Sequence, residues 1–196
     1  MQDYELIKRI RQGERALFGE LAERYYDVIY CYCYYQTGNE QAAWDCTQET
    51  FYHLMRFLDT YTEKGKFKAY LLRIALNACR DYFRQSKNDN IPYDAFAEIS
   101  TTEDKYPVPK TDICSSALQH PSPENQVETG IMIQNALNQL PEFQRETIIL
   151  FYYYGYKQRE IAKITGVPLS TVKTRLRAAT EKLRDTLFPS EERRIP

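Results

Sequence analysis

Glycine is scarce, with seven in 196 residues. That disfavours a turn-rich β architecture and favours helices. Proline is absent before Pro92, and all nine prolines lie at or after it. Nothing in the first part of the chain therefore interrupts a helix through ring geometry. No apolar run approaches the roughly 20 residues that a membrane-spanning helix needs. The densest, Val28 to Tyr35, is short and rich in tyrosine hydroxyls. Direct membrane insertion is not expected. There are only two histidines, His53 and His120, and neither has a plausible catalytic partner nearby in sequence. The five cysteines are Cys31, Cys33, Cys46, Cys79 and Cys114. Their odd number, the lack of metal-ligand spacing and the lack of a signal peptide point to reduced thiols in the cytoplasm. Cys31 and Cys33 are two apart, so on a helix they point to different faces. No metal site, cofactor or enzymatic activity is expected.

Apolar residues make up 43% of the chain and aromatics 14%, mostly tyrosine, which is enough for real cores. The net charge of −1 hides a strong pattern. Thr62 to Asn88 holds seven Lys/Arg against two acids, and Lys157 to Arg184 holds eight against two. Between them, Asp89 to Asn125 holds seven acids against two lysines. Two basic stretches separated by an acidic one suit a protein that touches nucleic acid twice.

Apolar spacing predicts the helices. Leu6, Ile7 and Ile10 mark a short one ended by Gly13. Phe18, Leu21, Tyr25, Val28, Ile29 and Tyr32 repeat at three and four until Gly38. Asn39 is a suitable N-cap for a third helix, running to about Thr60. Phe67, Tyr70, Leu71, Ile74, Ala75, Ala78 and Tyr82 mark a fourth. Four such faces can cover one another. The pattern then collapses across Pro92, Pro107, Pro109, Pro121 and Pro123. A structureless connection of that length argues for two domains. Beyond it, Val127, Ile131, Leu137 and Leu140 suggest another helix, and Pro141 opens one that runs to about Tyr154, where Gly155 breaks it. Tyr152 to Tyr154 read as packing surface.

The segment from Tyr156 to Leu187 divides into two helices and a tight turn. Ile161, Ala162 and Ile164 belong to the first, and Ala162 is small enough for a close crossing. Gly166 suits a left-handed cap, Pro168 prevents simple continuation, and Ser170 can cap the second helix. There Val172, Leu176, Ala179 and Leu183 share one face, while Lys173, Thr174, Arg177 and Arg184 lie on another. An apolar face opposite a basic, hydrogen-bonding face fits a helix-turn-helix that enters the major groove.

Glu160-Ile161-Ala162, Gly166-Val167-Pro168 and Ser170 to Leu176, led in by Leu140-Pro141 and Gln144-Arg145, resemble region 4 of the extracytoplasmic-function (ECF) sigma factors, a branch of the sigma-70 family of bacterial RNA polymerase. This motif alone also resembles the helix-turn-helix of LuxR-type transcriptional regulators, which act without being polymerase subunits. The first half of the chain discriminates. Asp45-Cys46-Thr47-Gln48-Glu49-Thr50-Phe51 resembles the family's D..QE.F signature in region 2. Phe67 to Asn77, followed by Asp81-Tyr82 and Arg84, resembles F..WL.RIA.N...D..R, with Tyr70 where the family often has Trp.

The fold class expected is therefore all-α, with two small helical domains, a region 2 bundle and a region 4 helix-turn-helix, joined by an extended linker. The expected boundaries are 1–86 for region 2, 87–125 for the acidic, proline-containing linker, 126–188 for region 4 and 189–196 for a tail. The resemblance implies an alternative sigma factor that binds core RNA polymerase, recognises −35 and −10 promoter elements and promotes strand opening. It implies that Asp45, Gln48, Glu49 and Arg56 meet the β′ clamp helices, and that the region 4 side meets the β flap. Tyr61, Lys66, Asn77, Arg80, Asp81 and Arg84 would meet the −10 element, with Tyr61 and Phe67 offering a stacking wall, although core packing is the stronger reading for Phe67. In region 4, Lys173, Thr174 and Arg177 would read −35 bases, while Ser170, Thr171 and Arg175 would grip phosphates. It also implies an anti-sigma factor as regulator, and an acidic linker placed in the channel later used by RNA.

Overall fold

A computed structural model describes residues 2–62, 65–87 and 123–188, with the backbone alone for 87 and 123–129. The acidic linker, the 189–196 tail, Lys64, His120, Cys114 and the Val127 side chain lie outside the described residues. All regular elements among the described residues are helical. Helices α1 (Asp3–Arg11), α2 (Leu17–Thr37), α3 (Glu40–Phe57) and α4 (Phe67–Lys87) form the first unit. Helices α5 (Pro123–Asn138), α6 (Glu142–Ile148), α7 (Gln158–Thr165) and α8 (Leu169–Leu187) form the second.

The first unit forms where the apolar stripes meet. Leu6 and Ile7 of α1, Leu21, Ile29 and Tyr32 of α2, Leu54 of α3 and Leu71, Leu72 and Ala75 of α4 are all 2% exposed or less. Gly38 ends α2 with φ +68°, a left-handed conformation that costs glycine nothing. The adjacent Asn39 then caps α3, its Oδ1 accepting from Ala42 N–H at 2.9 Å. The expected boundary at these two residues is the observed one. Asn39→Ala should lower stability by ~1 kcal/mol, measured by urea unfolding, because it leaves a first-turn N–H without its acceptor. A single 3-10 turn, Leu58–Thr60, follows α3. Arg11 pins it, donating through Nε to Leu58 O at 3.0 Å and through its guanidinium to Tyr61 O.

The second unit departs from the sequence reading in three places. Pro141 is the N-cap of α6 (φ −55°, ψ 146°) rather than its first residue. Regular α geometry ends at Ile148, and Ile149–Tyr153 forms one π turn closed by Tyr154 N–H to Ile149 O at 3.1 Å. That wider turn separates the three tyrosines, burying Tyr154 at 5% exposure and leaving Tyr152 at 60%. Ser170 does not cap α8: the helix begins at Leu169 after Pro168, which makes no side-chain cap bond. Ser170 instead sits exposed in the first turn.

The two units share apolar surface. One continuous cluster contains Leu6, Leu71 and Tyr32 of the first and Ile149, Leu150, Tyr154, Ile161, Ile164 and Val172 of the second. A smaller cluster of Leu137, Leu140, Ile148, Leu176 and Ala179 packs α5, α6 and α8 together. At the shared seam Tyr32 and Tyr154 meet edge to face with centroids 6.1 Å apart, and Tyr154 Oη donates to Val28 O at 2.5 Å.

Candidate nucleic-acid interface

Helices α7 and α8 make the helix-turn-helix. Ile161 (0%), Ile164 (5%), Val172 (0%) and Ala179 (0%) bury their shared inner side. Gly166 closes α7 with φ +73°, its N–H reaching Ala162 O at 3.0 Å. Beyond this left-handed residue, Pro168 turns the chain into α8. Glu160 steadies the start of α7 by accepting from Lys157 N–H at 2.8 Å. Burying Val172, Leu176 and Ala179 necessarily turns the opposite side of α8 outward. Lys173, Thr174 and Arg177 are exposed there, with Ser170 beside them and Thr171 half-buried. Thr174 Oγ1 donates to Ser170 O at 3.0 Å, which leaves the hydroxyl oxygen able to accept. Two cationic donors and one hydroxyl acceptor on an exposed helical face form a surface that phosphates and base edges can meet.

Arg175 departs from this face. Its Nη1 lies 3.1 Å from Glu146 Oε1, and its guanidinium sits 4.8 Å from the Phe143 ring centroid. Glu146 is on α6 and only 1% of its side chain is exposed. The same carboxylate takes Arg80 from the first unit, with Nε at 3.1 Å and Nη2 at 2.8 Å. Arg80 Nη2 also reaches Thr165 O at 3.3 Å. Burial raises the Glu146 carboxyl above the usual range, and the paired arginines only partly counter it. The ion pairs thus do not fully replace the water that Glu146 has lost.

A third arginine completes the junction. Arg145, 7% exposed, donates to Gln36 O at 2.6 Å across the seam and to Asn138 O and Leu140 O, both at 3.1 Å, within its own unit. Gln36 Nε2 returns a bond to Glu142 O at 3.2 Å. Glu146, Phe143 and Gln36 were not singled out from sequence. Arg145 was, though only as part of a motif. A charged pair, Arg145 and Glu146, just before the apolar run Ile148 to Phe151 was the one available signal.

In the first unit, Asn77, Arg80, Asp81 and Arg84 project from one side of α4, as their spacing predicts. Asn77 and Asp81 are half-buried, and Asp81 pairs with Arg84 at 2.5 Å. Tyr61 is 8% exposed, its ring 4.6 Å from that of Tyr70 and 5.4 Å from that of Phe67. In this conformation Tyr61 and Phe67 are core aromatics rather than an open stacking wall. Tyr70 takes part in the same packing. Lys66 is half-buried at the start of α4.

Asp45, Gln48 and Glu49 of α3 border a groove with Phe18, Ala22, Tyr26, Tyr52 and Met55. Glu49 lies 2.7 Å from the buried His53 imidazole, and Gln41 donates to Asp45 at 3.1 Å. Arg56 does not line this groove; its guanidinium rests 5.5 Å from the Phe57 ring. Trp44, Tyr52 and Met55 are 44%, 52% and 58% exposed, so α3 carries apolar area beside its acids. The interior of the unit holds the thiols of Cys33, Cys46 and Cys79, with Cys79 hydrogen-bonded to both others. Among the described residues no group of His, Cys, Asp or Glu has metal-ligating geometry, and no helix is long and apolar enough to cross a membrane.

Comparison with known proteins adds two matches along the chain. The Sigma-70 region 2 profile matches residues 21–88, and the Sigma-70, region 4 profile matches residues 131–183. The ECF RNA polymerase sigma factor SigW of Bacillus subtilis is 32% identical over 181 residues, spanning 92% of this chain and 94% of its own. The ECF RNA polymerase sigma-E factor of Haemophilus influenzae is 25% identical over 197 residues, spanning 96% and 97%. Among solved structures, CnrH in complex with the cytosolic domain of CnrY has a similar fold, with a TM-score of 0.63 at 24% identity, covering 96% of this chain and 98% of that one.

Proposed function

Because the chain belongs to the ECF branch of the sigma-70 factors, we propose that it binds core RNA polymerase, recognises a promoter through a −35 and a −10 element, and promotes strand opening. The observation that carries this reading is the exposed Lys173, Thr174 and Arg177 face of α8, set opposite a fully buried one. The chain performs no chemistry itself; nucleotide addition belongs to the polymerase. Run-off transcription with core polymerase on a promoter library tests the reading. Specific starts that depend on the added chain are expected, and their absence from every promoter would reject it.

The division of labour follows the two units. Lys173, Thr174 and Arg177 read −35 bases, and Ser170, Thr171 and Arg175 hold phosphates. Asn77, Asp81, Arg84, Lys66, Arg80 and Tyr61 serve the −10 element; Tyr61 needs the packing around Tyr70 to loosen before a base can stack on it. The domain limits follow as 1–86, 87–125, 126–188 and 189–196. Asp45, Gln48 and Glu49 meet the β′ clamp helices along the α3 groove, and the region 4 unit meets the β flap. Arg56, away from the groove, plays a peripheral part in that contact. The cytoplasm is the matching location, and an anti-sigma factor the matching regulator.

The α3 contact gives a direct prediction. Asp45→Arg combined with Glu49→Arg should weaken core polymerase binding roughly tenfold or more, since like charges at an interface oppose docking. Titration of labelled core enzyme measures it. Unchanged affinity would remove these acids from the interface.

A further inference from the structure

We propose that Glu146 is an internal latch: it holds the two units of the free chain together by occupying two arginines that DNA would otherwise take. The inference rests on the promoter-binding reading of Arg80 and Arg175. Its carrying observation is independent of that reading, because arginines from different units converge on one buried carboxylate at 2.8 and 3.1 Å.

Geometry makes the latched form incompatible with a bipartite promoter. Elements centred at −35 and −10 lie on the order of 80 Å apart along B-DNA, at about 3.4 Å per base pair. Arg80 and Arg175 share the same Glu146 oxygen, so they lie within one side-chain cluster. They cannot serve both elements while Glu146 holds them. The chain has the reach to separate the units. The residues between Lys87 and Pro123 number 35. At full extension they span up to roughly 115–125 Å.

The surrounding contacts show why a latch, rather than a general sticky seam, fits these residues. The seam has apolar area around Tyr32 and Tyr154, but its polar crossings concentrate at α6. Arg145 reaches Gln36 O, Gln36 reaches Glu142 O, and Glu146 takes Arg80. Phe143 lies under both arginines of the cluster, 5.9 Å from the Arg80 guanidinium and 4.8 Å from that of Arg175. A buried ion-pair network adds little net stability over apolar packing, but it specifies one arrangement sharply. Opening returns Arg80 to water and exposes Glu146, which keeps only the Arg175 pair within its own unit. The closed form is therefore specific and releasable. The apparent DNA affinity of such a chain is its intrinsic affinity reduced by the fraction that is open.

The test uses the full chain with Glu146→Gln, which removes the charge at nearly constant volume, and Glu146→Lys, which places a third cation between the arginines. Helical content by circular dichroism selects the variants that fold. Small-angle scattering then reads the separation of the units. Fluorescence anisotropy with a promoter duplex reads the DNA affinity of the chain without polymerase. Expected is a larger radius of gyration than wild type and an affinity raised about tenfold. A folded variant with unchanged scattering and unchanged affinity overturns the latch, and Glu146→Gln alone decides if Glu146→Lys does not fold. Run-off transcription with wild-type chain separates the two readings. If it fails while the variants expand, the promoter assignment falls and the latch remains as a closure. If it succeeds while no variant expands, the latch falls alone.

Discussion

Arg177→Ala is expected to weaken recognition of the matching −35 element by ~1–3 kcal/mol, up to roughly a hundredfold in affinity. Arg177 is exposed on α8, one turn beyond Lys173, and no ion pair within the chain engages it among the interactions described. Its guanidinium is therefore available for a bidentate contact with guanine O6 and N7. The measurement is holoenzyme binding to a panel of promoters changed one base pair at a time across the −35 element. A base reader produces a loss confined to promoters that carry the contacted pair, and the variant becomes indifferent at that position. A uniform loss over the whole panel would make Arg177 a phosphate contact instead. Arg175→Ala supplies the contrast. Arg175 is drawn toward Glu146, so its removal should leave sequence preference intact.

The largest stability effect is expected from Ile161→Ala, at about 2–5 kcal/mol. Ile161 is completely buried and belongs to the apolar cluster shared by both units. Truncation removes most of the side chain from water-excluded packing and leaves a cavity bounded by helices of both units. Domains of this kind have only ~5–15 kcal/mol of total stability, so this substitution uses a large share. Urea unfolding followed by circular dichroism measures it. Because the cluster spans the seam, the loss should shift one common transition rather than a separate step for the helix-turn-helix. A loss under about 1 kcal/mol would contradict the close packing around this residue. Two separated transitions in the wild type would contradict the shared core.

The two predictions probe opposite faces of one motif, and these faces were not equally legible. The spacing of Val172, Leu176 and Ala179 defines the buried side of α8 directly, since a helix brings residues three and four apart together. Lys173, Thr174 and Arg177 then point outward by elimination. Arg175 shows where elimination stops. It lies toward the boundary between the faces, and a long side chain there can turn either way. Its partner Glu146 is 29 positions away in sequence. Tyr61 and Phe67 teach the same lesson. Their types suit both base stacking and core packing, with packing the stronger reading for Phe67, and only the arrangement around Tyr70 shows that both are buried here.

Helix ends were readable where chemistry is local. Asn39 caps the next turn through its own side chain, and Gly38 and Gly166 take left-handed conformations that few other residues tolerate. The start of α8 was misjudged by two residues because Pro168 and Ser170 both suit a helix start. The π turn after Ile148 has no comparable signature. It places Tyr154 in the seam, so it answers to packing rather than to propensity.

The helix-turn-helix was thus determined by sequence alone in its existence, its inner face and its family resemblance. Each depends on residues within a few turns of one another. The tertiary structure alone decided that this motif lies against the first helical unit, with Arg80 and Arg175 held by Glu146. That contact joins residues 66 and 29 positions apart. The reason is physical: periodicity reports which side of a helix is apolar, whereas the partner of a buried charge depends on which helices meet.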